Sequence, residues 1–256
     1  MQKTSIRIFR DLEALSQAAA DAFNRLANTS IAQSGEFTVA LTGGNTVERF
    51  YELLSFQPHA NQVEWDKVRF FWGDERLVPP DHVESNYGQA DRILLDRVGV
   101  KPENVFRIRG EWSSQDAVED YDGKLKLLAE SDHDWPRFDL VLLGMGSDGH
   151  IASIFPGEIS NGELRSPVVA TTTDYQGRPG ERVSLTPLVF NSAKNIFFLV
   201  AGEGKAAVLA RVFDDQADSE KLPVLRIQPK DGDVTWFVDE AAASQLPKEL
   251  PFQEAD

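Results

Sequence analysis

Asp148 and His150 are the residues of this sequence best suited to activating a water molecule. They stand two positions apart in a glycine-containing loop, directly after the apolar run FDLVLL. An imidazole with its ordinary pKa of about 6.5 can accept a proton from water at neutral pH. The alternative is a loop histidine that forms only a structural hydrogen bond. The other histidines lie in polar, loop-like stretches, which indicates structural roles: His59, His82 and His133.

The same loop, GMGSDG, fits the G-x-G-x-x-G spacing of dinucleotide-binding loops. Two features argue against that function. Asp148 would place a carboxylate against the pyrophosphate, and Pro156 allows only a short helix after Gly149. Ser147 also follows a predicted strand, but no G-x-S-x-G elbow surrounds it, and no pair of histidines has zinc-ligand spacing. We therefore interpret the loop as the source of an acid and a base.

Two further segments contain residue types that bind phosphate. LTGGNT holds Gly43, Gly44 and Asn45 between an apolar run and a helical pattern, where backbone N–H groups and a helix N-terminus could face one anion. An ordinary turn capped by Asn45 or Thr46 is the alternative. GDER places Arg76 after VRFFW, where its guanidinium could bind a phosphate through two N–H groups. A solvated turn whose acids pair with Arg76 is the alternative there.

These loops follow apolar runs that alternate with amphipathic helical patterns. Strands are predicted at 5–9, 37–41, 68–72, 138–143, 195–201 and 233–238, and helices at 11–28, 47–54, from 85, 116–128 and from 205 through 213. This alternation predicts an α/β fold, a three-layer, Rossmann-like open sheet that is mostly parallel. No shift in composition divides the chain, so one domain is expected over 1–256. The glycine turns should meet at the carboxyl edge of the sheet, where such folds bind ligands.

The charge of the chain bears on its partners. With 26 Lys and Arg against 41 Asp and Glu, the formal net charge is -15, which argues against nucleic acid and anionic membrane surfaces. No apolar stretch is long enough to span a bilayer, and the N-terminus does not have the pattern of a secretory signal. We expect a cytoplasmic protein. Because the chain has no cysteine, disulfides, thiolate metal sites and cysteine nucleophiles are excluded.

Four segments of the sequence together resemble the 6-phosphogluconolactonase family. They occur in the same order as in that family and with approximately the same spacings. They are LTGGNT, GDERLVPPDHVESNYG, GMGSDGHIASIFPG and RVSLT, and Lys205 after NIFFLVAGEG matches a basic residue of that family. The resemblance implies a fold shared with glucosamine-6-phosphate deaminase, ribose-5-phosphate isomerase and CoA transferases. It also implies hydrolysis of 6-phosphogluconolactone in the oxidative pentose phosphate pathway.

The resemblance assigns roles position by position. It implies that Gly43, Gly44 and Asn45 line the phosphate, and that Arg76 and Lys205 contact it. His150 would be the general base, with Asp74 and Asp148 near the lactone and Arg182 close to the substrate. It implies no metal and no organic cofactor, a small sugar-phosphate lactone as the partner, and a monomer or a weak dimer is expected. The roles by residue are as follows: catalytic, His150, Asp74 and Asp148; substrate-binding, Gly43, Gly44, Asn45, Arg76, Arg182 and Lys205.

Two positions depart from the family pattern. Asn45 stands where a serine or threonine is usual, so an amide replaces the hydroxyl. The approach to RVSLT reads DYQGRPGE rather than the proline-rich segment of many members. Backbone N–H groups of the turn from Gly146 to Gly149 are the expected donors to the oxyanion of the tetrahedral intermediate.

Two other functions remain open from the sequence. A glucosamine-6-phosphate deaminase would resemble this chain in fold and phosphate loop, but its catalytic glutamate is missing, because the loop continues as Ala-Ser-Ile-Phe-Pro with Phe155 at that place. A sugar-phosphate sensor would need an attached DNA-binding segment, for which the acidic chain offers no candidate.

Overall fold

The computed structural model of the protein describes residues 4–129, 134–214, 218, 220–247 and the backbone of a short strand at 253–254. Its strands in chain order are β1 (Thr4–Phe9), β2 (Phe37–Leu41), β3 (Val68–Trp72), β4 (Asp74–Arg76), β5 (Leu140–Leu143), β6 (Val168–Thr172), β7 (Glu181–Leu185), β8 (Asn195–Val200), β9 (Asp233–Asp239) and β10 (Gln253–Glu254). Its helices are α1 (Leu12–Ser34), α2 (Asn45–Ser55), α3 (Asn86–Ala90), α4 (Asp96–Val98), α5 (Ser114–Leu127), α6 (Asn161–Arg165), α7 (Pro187–Phe190), α8 (Ala206–Val212) and α9 (Glu240–Ala243).

The main sheet is parallel throughout, with seven strands in the order β10-β1-β9-β8-β5-β2-β3. Its central strands β2 (FTVAL) and β5 (LVLL) are buried at every position, so both faces of the sheet are covered. Continuous apolar runs of this kind are typical of parallel strands between two helical layers. The predicted α/β class is therefore confirmed.

Helix α1 is longer than its sequence pattern predicted. The Asp11 carboxylate accepts the Ala14 N–H at the start, as an N-cap does, and Gly35 ends the helix in the left-handed conformation. The prediction ended at residue 28, because the following segment NTSIAQS is mostly polar. Ile31 nevertheless continues the buried face, so the helix runs to Ser34. Packing of one apolar residue outweighs the weak local preference of that segment.

A second sheet was not predicted. Strands β4, β7 and β6 form three antiparallel strands in the order β4-β7-β6. Residues 74–76 were expected to be a turn, because three consecutive charges after an apolar strand are typical of one. They instead pair with β7, with Arg76 opposite Arg182, and the polar side chains of this pair face the site described below. No helix among the described residues is long and apolar enough to cross a membrane.

A buried tyrosine, Tyr121, satisfies the hydrogen-bonding groups of the backbone at the edge strand β3. β3 is the last strand of the main sheet, so the outward N–H and C=O groups of Trp72 have no strand partner. The Tyr121 hydroxyl accepts the Trp72 N–H at 2.9 Å and donates to the Trp72 carbonyl at 2.7 Å. Tyr51 makes the same pair of bonds with Thr42 after β2. The ends of β2 and β3, two of the strands that lead into the site, are thus each held by a phenol.

Replacing Tyr121 with phenylalanine should destabilise the protein by about 2 kcal/mol, because both backbone groups of Trp72 would be buried without a partner. Urea unfolding followed by circular dichroism measures the change. Tyr175→Phe is the matched control, since the one hydrogen bond of the Tyr175 hydroxyl within the described part of the chain is to the exposed Gln176 side chain. The cost of this control in stability should stay within about 0.5 kcal/mol. Equal midpoints and slopes for Tyr121→Phe and the wild type would contradict the proposed role of the phenol.

Candidate active site

A cavity of about 370 Å³ lies at the carboxyl edge of the main sheet. The residues after β2, β3, β5 and β8 line it, and β7 contributes from the second sheet. The structure brings eight of the predicted site residues to its wall: Gly43, Gly44, Asn45, Asp74, Arg76, His150, Arg182 and Lys205. The ninth, Asp148, contacts His150 from behind. The loops that were predicted to meet at one edge do meet there.

Asp148 and His150 form a hydrogen-bonded dyad. The His150 Nδ1 lies 2.6 Å from Asp148 Oδ1, and the same oxygen accepts the His150 backbone N–H at 3.1 Å. Only 15% of the His150 side chain is exposed. A Cβ at Gly146 would lie 2.1 Å from His150 Nδ1 and 2.5 Å from Asp148 Oδ1. Gly146, the second glycine of the G-x-G spacing, therefore makes room for the dyad.

The charge on Asp148 determines which ring nitrogen carries the proton. Burial disfavours the ionised Asp148, but its hydrogen bonds from His150 outweigh that effect and hold the pKa of Asp148 below its usual value. An ionised carboxylate can only accept hydrogen bonds, so the His150 Nδ1 must donate. The Nε2 of the neutral imidazole then has a free lone pair. This is the protonation state that a general base requires.

Two aromatic side chains enclose the imidazole. The Phe155 ring lies 4.5 Å from the His150 ring between centroids, and the Tyr175 ring lies 4.8 Å away, nearly perpendicular. Three further residues, which were not predicted from the sequence, line the cavity from the 173–180 loop: Tyr175, Gln176 and Arg178. The only sequence signal for them is the departure of DYQGRPGE from the family pattern.

The backbone of the turn after β5 corrects one expectation. The Gly146 N–H donates to the His150 carbonyl at 2.8 Å, and the Gly149 N–H donates to the Gly146 carbonyl at 3.1 Å. Both glycine donors therefore maintain the turn and are not available to an oxyanion. The Ser147 N–H is left without an acceptor among the described residues, and Ser147 is exposed and lines the cavity.

The phosphate-loop segment lies at the start of α2. Gly44 is the N-cap residue and no side chain caps the helix, so the expected alternative of a cap by Asn45 or Thr46 is wrong. The first N–H groups of α2 therefore face the cavity side without a side-chain acceptor, and anions bind at such positions. A Cβ at Gly43 would lie 1.8 Å from Asn86 Oδ1. A larger residue at this position would displace the buried Asn86 side chain, whose amide donates to Asp74.

A half-buried and a buried arginine, Arg76 and Arg182, stand side by side in the cavity wall. Arg76 and Arg182 are paired across β4 and β7, and Arg182 is 3% exposed. The Arg76 Nε and the Arg182 Nη2 are buried and have no hydrogen-bond partner among the described residues. Burial lowers the pKa of Arg182, but a guanidinium stays charged at neutral pH. Unpaired buried donors of this kind are costly, so they indicate a place for an anionic ligand.

Lys205 adds a third cation. It follows β8 in a short helical turn, Glu203–Lys205, that begins at Gly202. The Gly202 N–H donates to both carboxylate oxygens of Asp239 at 3.0 Å, which fixes the turn. Burial lowers the pKa of Lys205, and the charge of Asp148 opposes that shift.

Asp74 is buried against hydrogen-bond donors. It is 4% exposed, and it accepts the Ser153 hydroxyl at 2.6 Å and the Asn86 amide at 3.2 Å. Glu75, 1% exposed, accepts four donors that include the N–H groups of Asn86 and Tyr87. Burial raises the pKa of Glu75 to about 7, against those donors. The alternative of a solvated turn is therefore wrong, because both acids are buried and Arg76 contacts Glu84 instead.

The remaining histidines lie apart from the cavity where the structure describes them. His59 is 2% exposed and its two ring nitrogens contact the amides of Gln17 and Asn24. His82 is exposed and accepts the Glu84 N–H. His133 lies outside the described residues. Across the described part of the chain, no group of three or more His, Asp or Glu side chains is placed to hold a metal ion. Metal independence stays a prediction.

Inorganic phosphate should bind the cavity through these cations, and Lys205→Met should raise its Kd about tenfold, the cost of one charge-assisted contact. Isothermal titration at fixed, low ionic strength measures the constants. Lys101→Met removes an exposed lysine outside the cavity and should leave the Kd unchanged. Equal losses from both variants would show a general charge effect and contradict a local phosphate site.

Known proteins are similar to this chain over nearly its whole length. A protein of Oryza sativa subsp. indica named probable 6-phosphogluconolactonase 2 is 35% identical, with 97% of this chain and 92% of that protein covered. The probable 6-phosphogluconolactonase 1 of Arabidopsis thaliana is 36% identical, with 94% and 93% covered.

Solved structures with similar folds include members of the same group of proteins. The 6-phosphogluconolactonase of Trypanosoma brucei superposes with a TM-score of 0.84 at 30% identity, covering 96% of this chain and all of that one. A monomeric glucosamine-6-phosphate deaminase superposes with a TM-score of 0.79 at 20% identity over 95% of this chain and 100% of its own, a likeness that shows the fold alone. Residues 10–236 match the family described as glucosamine-6-phosphate isomerases/6-phosphogluconolactonase. The chain belongs to that family.

Proposed function

We propose that this protein hydrolyses 6-phosphoglucono-1,5-lactone to 6-phosphogluconate, with His150 as the general base. This hydrolysis is the lactonase step of the oxidative pentose phosphate pathway. The observation that carries the proposal is the juxtaposition of the Asp148–His150 dyad with four cationic side chains in one cavity, Arg76, Arg178, Arg182 and Lys205. The names of the relatives support the same reaction. One substrate with an anionic end and an ester-like carbonyl satisfies both halves of the site.

The phosphate binds first in this scheme, among the cationic side chains of the cavity wall. The N-terminus of α2 and the side chains of Arg76, Arg182 and Lys205 supply positive charge there. A phosphate in this place would give the unpaired guanidinium N–H groups their acceptors. Holding the phosphate also positions the lactone carbon against the base, which removes much of the entropic barrier.

The chemical step needs one water molecule and one group that acts first as a base and then as an acid. His150 Nε2 removes a proton from water as the water oxygen forms a bond to C1 of the lactone. The carbonyl electrons move to the oxygen and give a tetrahedral intermediate. When they return, the bond between C1 and the ring oxygen breaks, and the imidazolium gives its proton to that oxygen. Asp148 stabilises the imidazolium in between, and the free enzyme is restored.

The negative charge on the intermediate needs a donor. With Gly146 and Gly149 committed to the turn, we assign the role within this turn to the Ser147 N–H. Lys205, on the neighbouring strand end, adds positive charge in the same cavity. Donors held in place before the reaction stabilise the developing charge without reorganising.

Deaminase chemistry has less support from the site. Its ring-opening step would use a glutamate in the loop after His150, where this chain has Phe155 packed on the imidazole. Phe155 carries no proton. The assay that separates the two reactions measures ammonia from glucosamine-6-phosphate beside lactone hydrolysis coupled to 6-phosphogluconate dehydrogenase, corrected for spontaneous hydrolysis. We expect lactone hydrolysis without ammonia release, and ammonia release with no lactone hydrolysis would refute the proposal.

His150→Ala should lower kcat by about 100-fold or more and leave KM nearly unchanged, because a general base acts in the transition state and not in binding the phosphate. The coupled assay measures both constants. Lys101→Met, which alters an exposed residue outside the cavity, is the control and should match the wild type. A His150→Ala variant with nearly full kcat would contradict the assignment and make Asp74 the next candidate.

Asp148→Asn should lower kcat by at least about tenfold, because a neutral amide neither stabilises the imidazolium nor fixes the Nδ1–H tautomer. The fall should be smaller than that of His150→Ala, since the base itself remains. Inorganic phosphate binding, measured by titration, should be retained, because Asp148 is not among the cavity-lining residues. Loss of phosphate binding together with kcat would indicate a collapsed loop and contradict a role confined to the dyad.

A further inference from the structure

The loop at 173–180, between β6 and β7, places an aromatic ring beside the proposed base. The Tyr175 ring centroid lies 4.8 Å from that of His150, with an angle of 80° between the planes. Tyr175 also lies 5.7 Å from Phe155, so the three rings form one cluster. This loop is the segment in which the sequence departs from the family pattern.

The dyad alone does not fix the imidazole. The ring is attached to Cβ through Cγ and is restrained at Nδ1 by the hydrogen bond to Asp148, but small coupled changes of χ1 and χ2 can still tilt it and displace Nε2. Phe155 covers the imidazole at 4.5 Å with an angle of 31°. Tyr175 stands perpendicular to it. Contacts from two directions restrict this tilt.

The backbone of the loop holds Tyr175 in place. The Thr173 N–H donates to the Gly180 carbonyl at 3.0 Å, which closes the base of the loop. The Arg178 N–H donates to the Tyr175 carbonyl at 3.1 Å across a turn in which Gln176 has a φ of 55°. A residue other than glycine in this left-handed region is uncommon and needs support from its surroundings.

An ion pair ties the loop to the phosphate side of the cavity. The Arg178 Nη1 lies 3.8 Å from Glu84 Oε2, and the same oxygen lies 3.3 Å from Arg76 Nη1. Both arginines line the cavity. Glu84 therefore links the loop that carries Tyr175 to a proposed phosphate-binding side chain.

We infer that Tyr175 is a positioning residue for His150: its ring, together with Phe155, holds the imidazole so that Nε2 faces the lactone carbon. The inference rests on the proposed function. Tyr175 takes no proton in the reaction. Its hydroxyl accepts a hydrogen bond from the exposed Gln176 side chain, so the ring and not the hydroxyl carries the role.

The test compares kcat and KM of four variants in the coupled lactone assay. Tyr175→Ala should lower kcat about tenfold with KM within about twofold of wild type, because a misdirected base slows the chemistry but not the binding. Tyr175→Phe keeps the ring and should restore kcat. Tyr175→Leu keeps bulk without a ring plane and should resemble Tyr175→Ala, which maintains the test if the alanine variant does not fold. Asp174→Ala, an exposed neighbour, should match the wild type.

Three outcomes would overturn the inference. A wild-type kcat in Tyr175→Ala or Tyr175→Leu would show that Phe155 and Asp148 suffice. A raised KM with unchanged kcat would make Tyr175 a substrate contact. A kcat in Tyr175→Phe as low as in Tyr175→Ala would assign the role to the hydroxyl. An inactive wild type and an inactive Asp174→Ala would instead refute the proposed function, so the two failures are distinguishable.

Discussion

One hydrogen bond, 2.6 Å from His150 Nδ1 to Asp148 Oδ1, determines the chemistry available to the cavity. With the proton on Nδ1, the opposite nitrogen is free to accept a proton from water. With the proton on Nε2, that nitrogen could only donate a hydrogen bond and could not accept a proton from water. The surrounding structure maintains this hydrogen bond. The turn after β5 brings Asp148 and His150 together, and Gly146 leaves room for their side chains. Phe155 and Tyr175 enclose the imidazole ring.

Charge is the second constraint, and it is local. The chain carries a net charge of -15, yet the proposed substrate is an anion. Exposed charges beyond a Debye length of about 8 Å are largely screened at physiological salt. The cations that line the cavity, by contrast, are partly or fully buried, where screening is weak. An acidic surface that disfavours extended polyanions is therefore compatible with a cavity that binds one phosphate.

The apolar runs predicted the main sheet well, because a strand buried on both faces has a strong pattern that tertiary context does not override. The charged segment Asp74–Arg76 was misread as a turn, because its burial depends on β7, more than 100 residues later. Motifs and the family resemblance together predicted the nine site residues, and the structure brings eight of them to the cavity wall with Asp148 against His150. Tyr175 and Arg178 were not predicted, because the unusual sequence DYQGRPGE marks their loop as different but does not show that the loop reaches the cavity. Ser153 and Asn86, which donate to Asp74, were not predicted either, because these contacts join distant segments of the chain.

Nuclear magnetic resonance of the imidazole nitrogens tests the central claim most directly. In ¹⁵N-histidine-labelled protein at neutral pH, long-range ¹H–¹⁵N correlations distinguish a ring nitrogen that carries a proton from one with a free lone pair, and comparison with His150→Ala assigns the signals. For His150 we predict a protonated Nδ1 and an unprotonated Nε2, changing toward a mixture of tautomers in Asp148→Asn. A protonated Nε2 with an unprotonated Nδ1 in the wild type would contradict the assignment of His150 as the base.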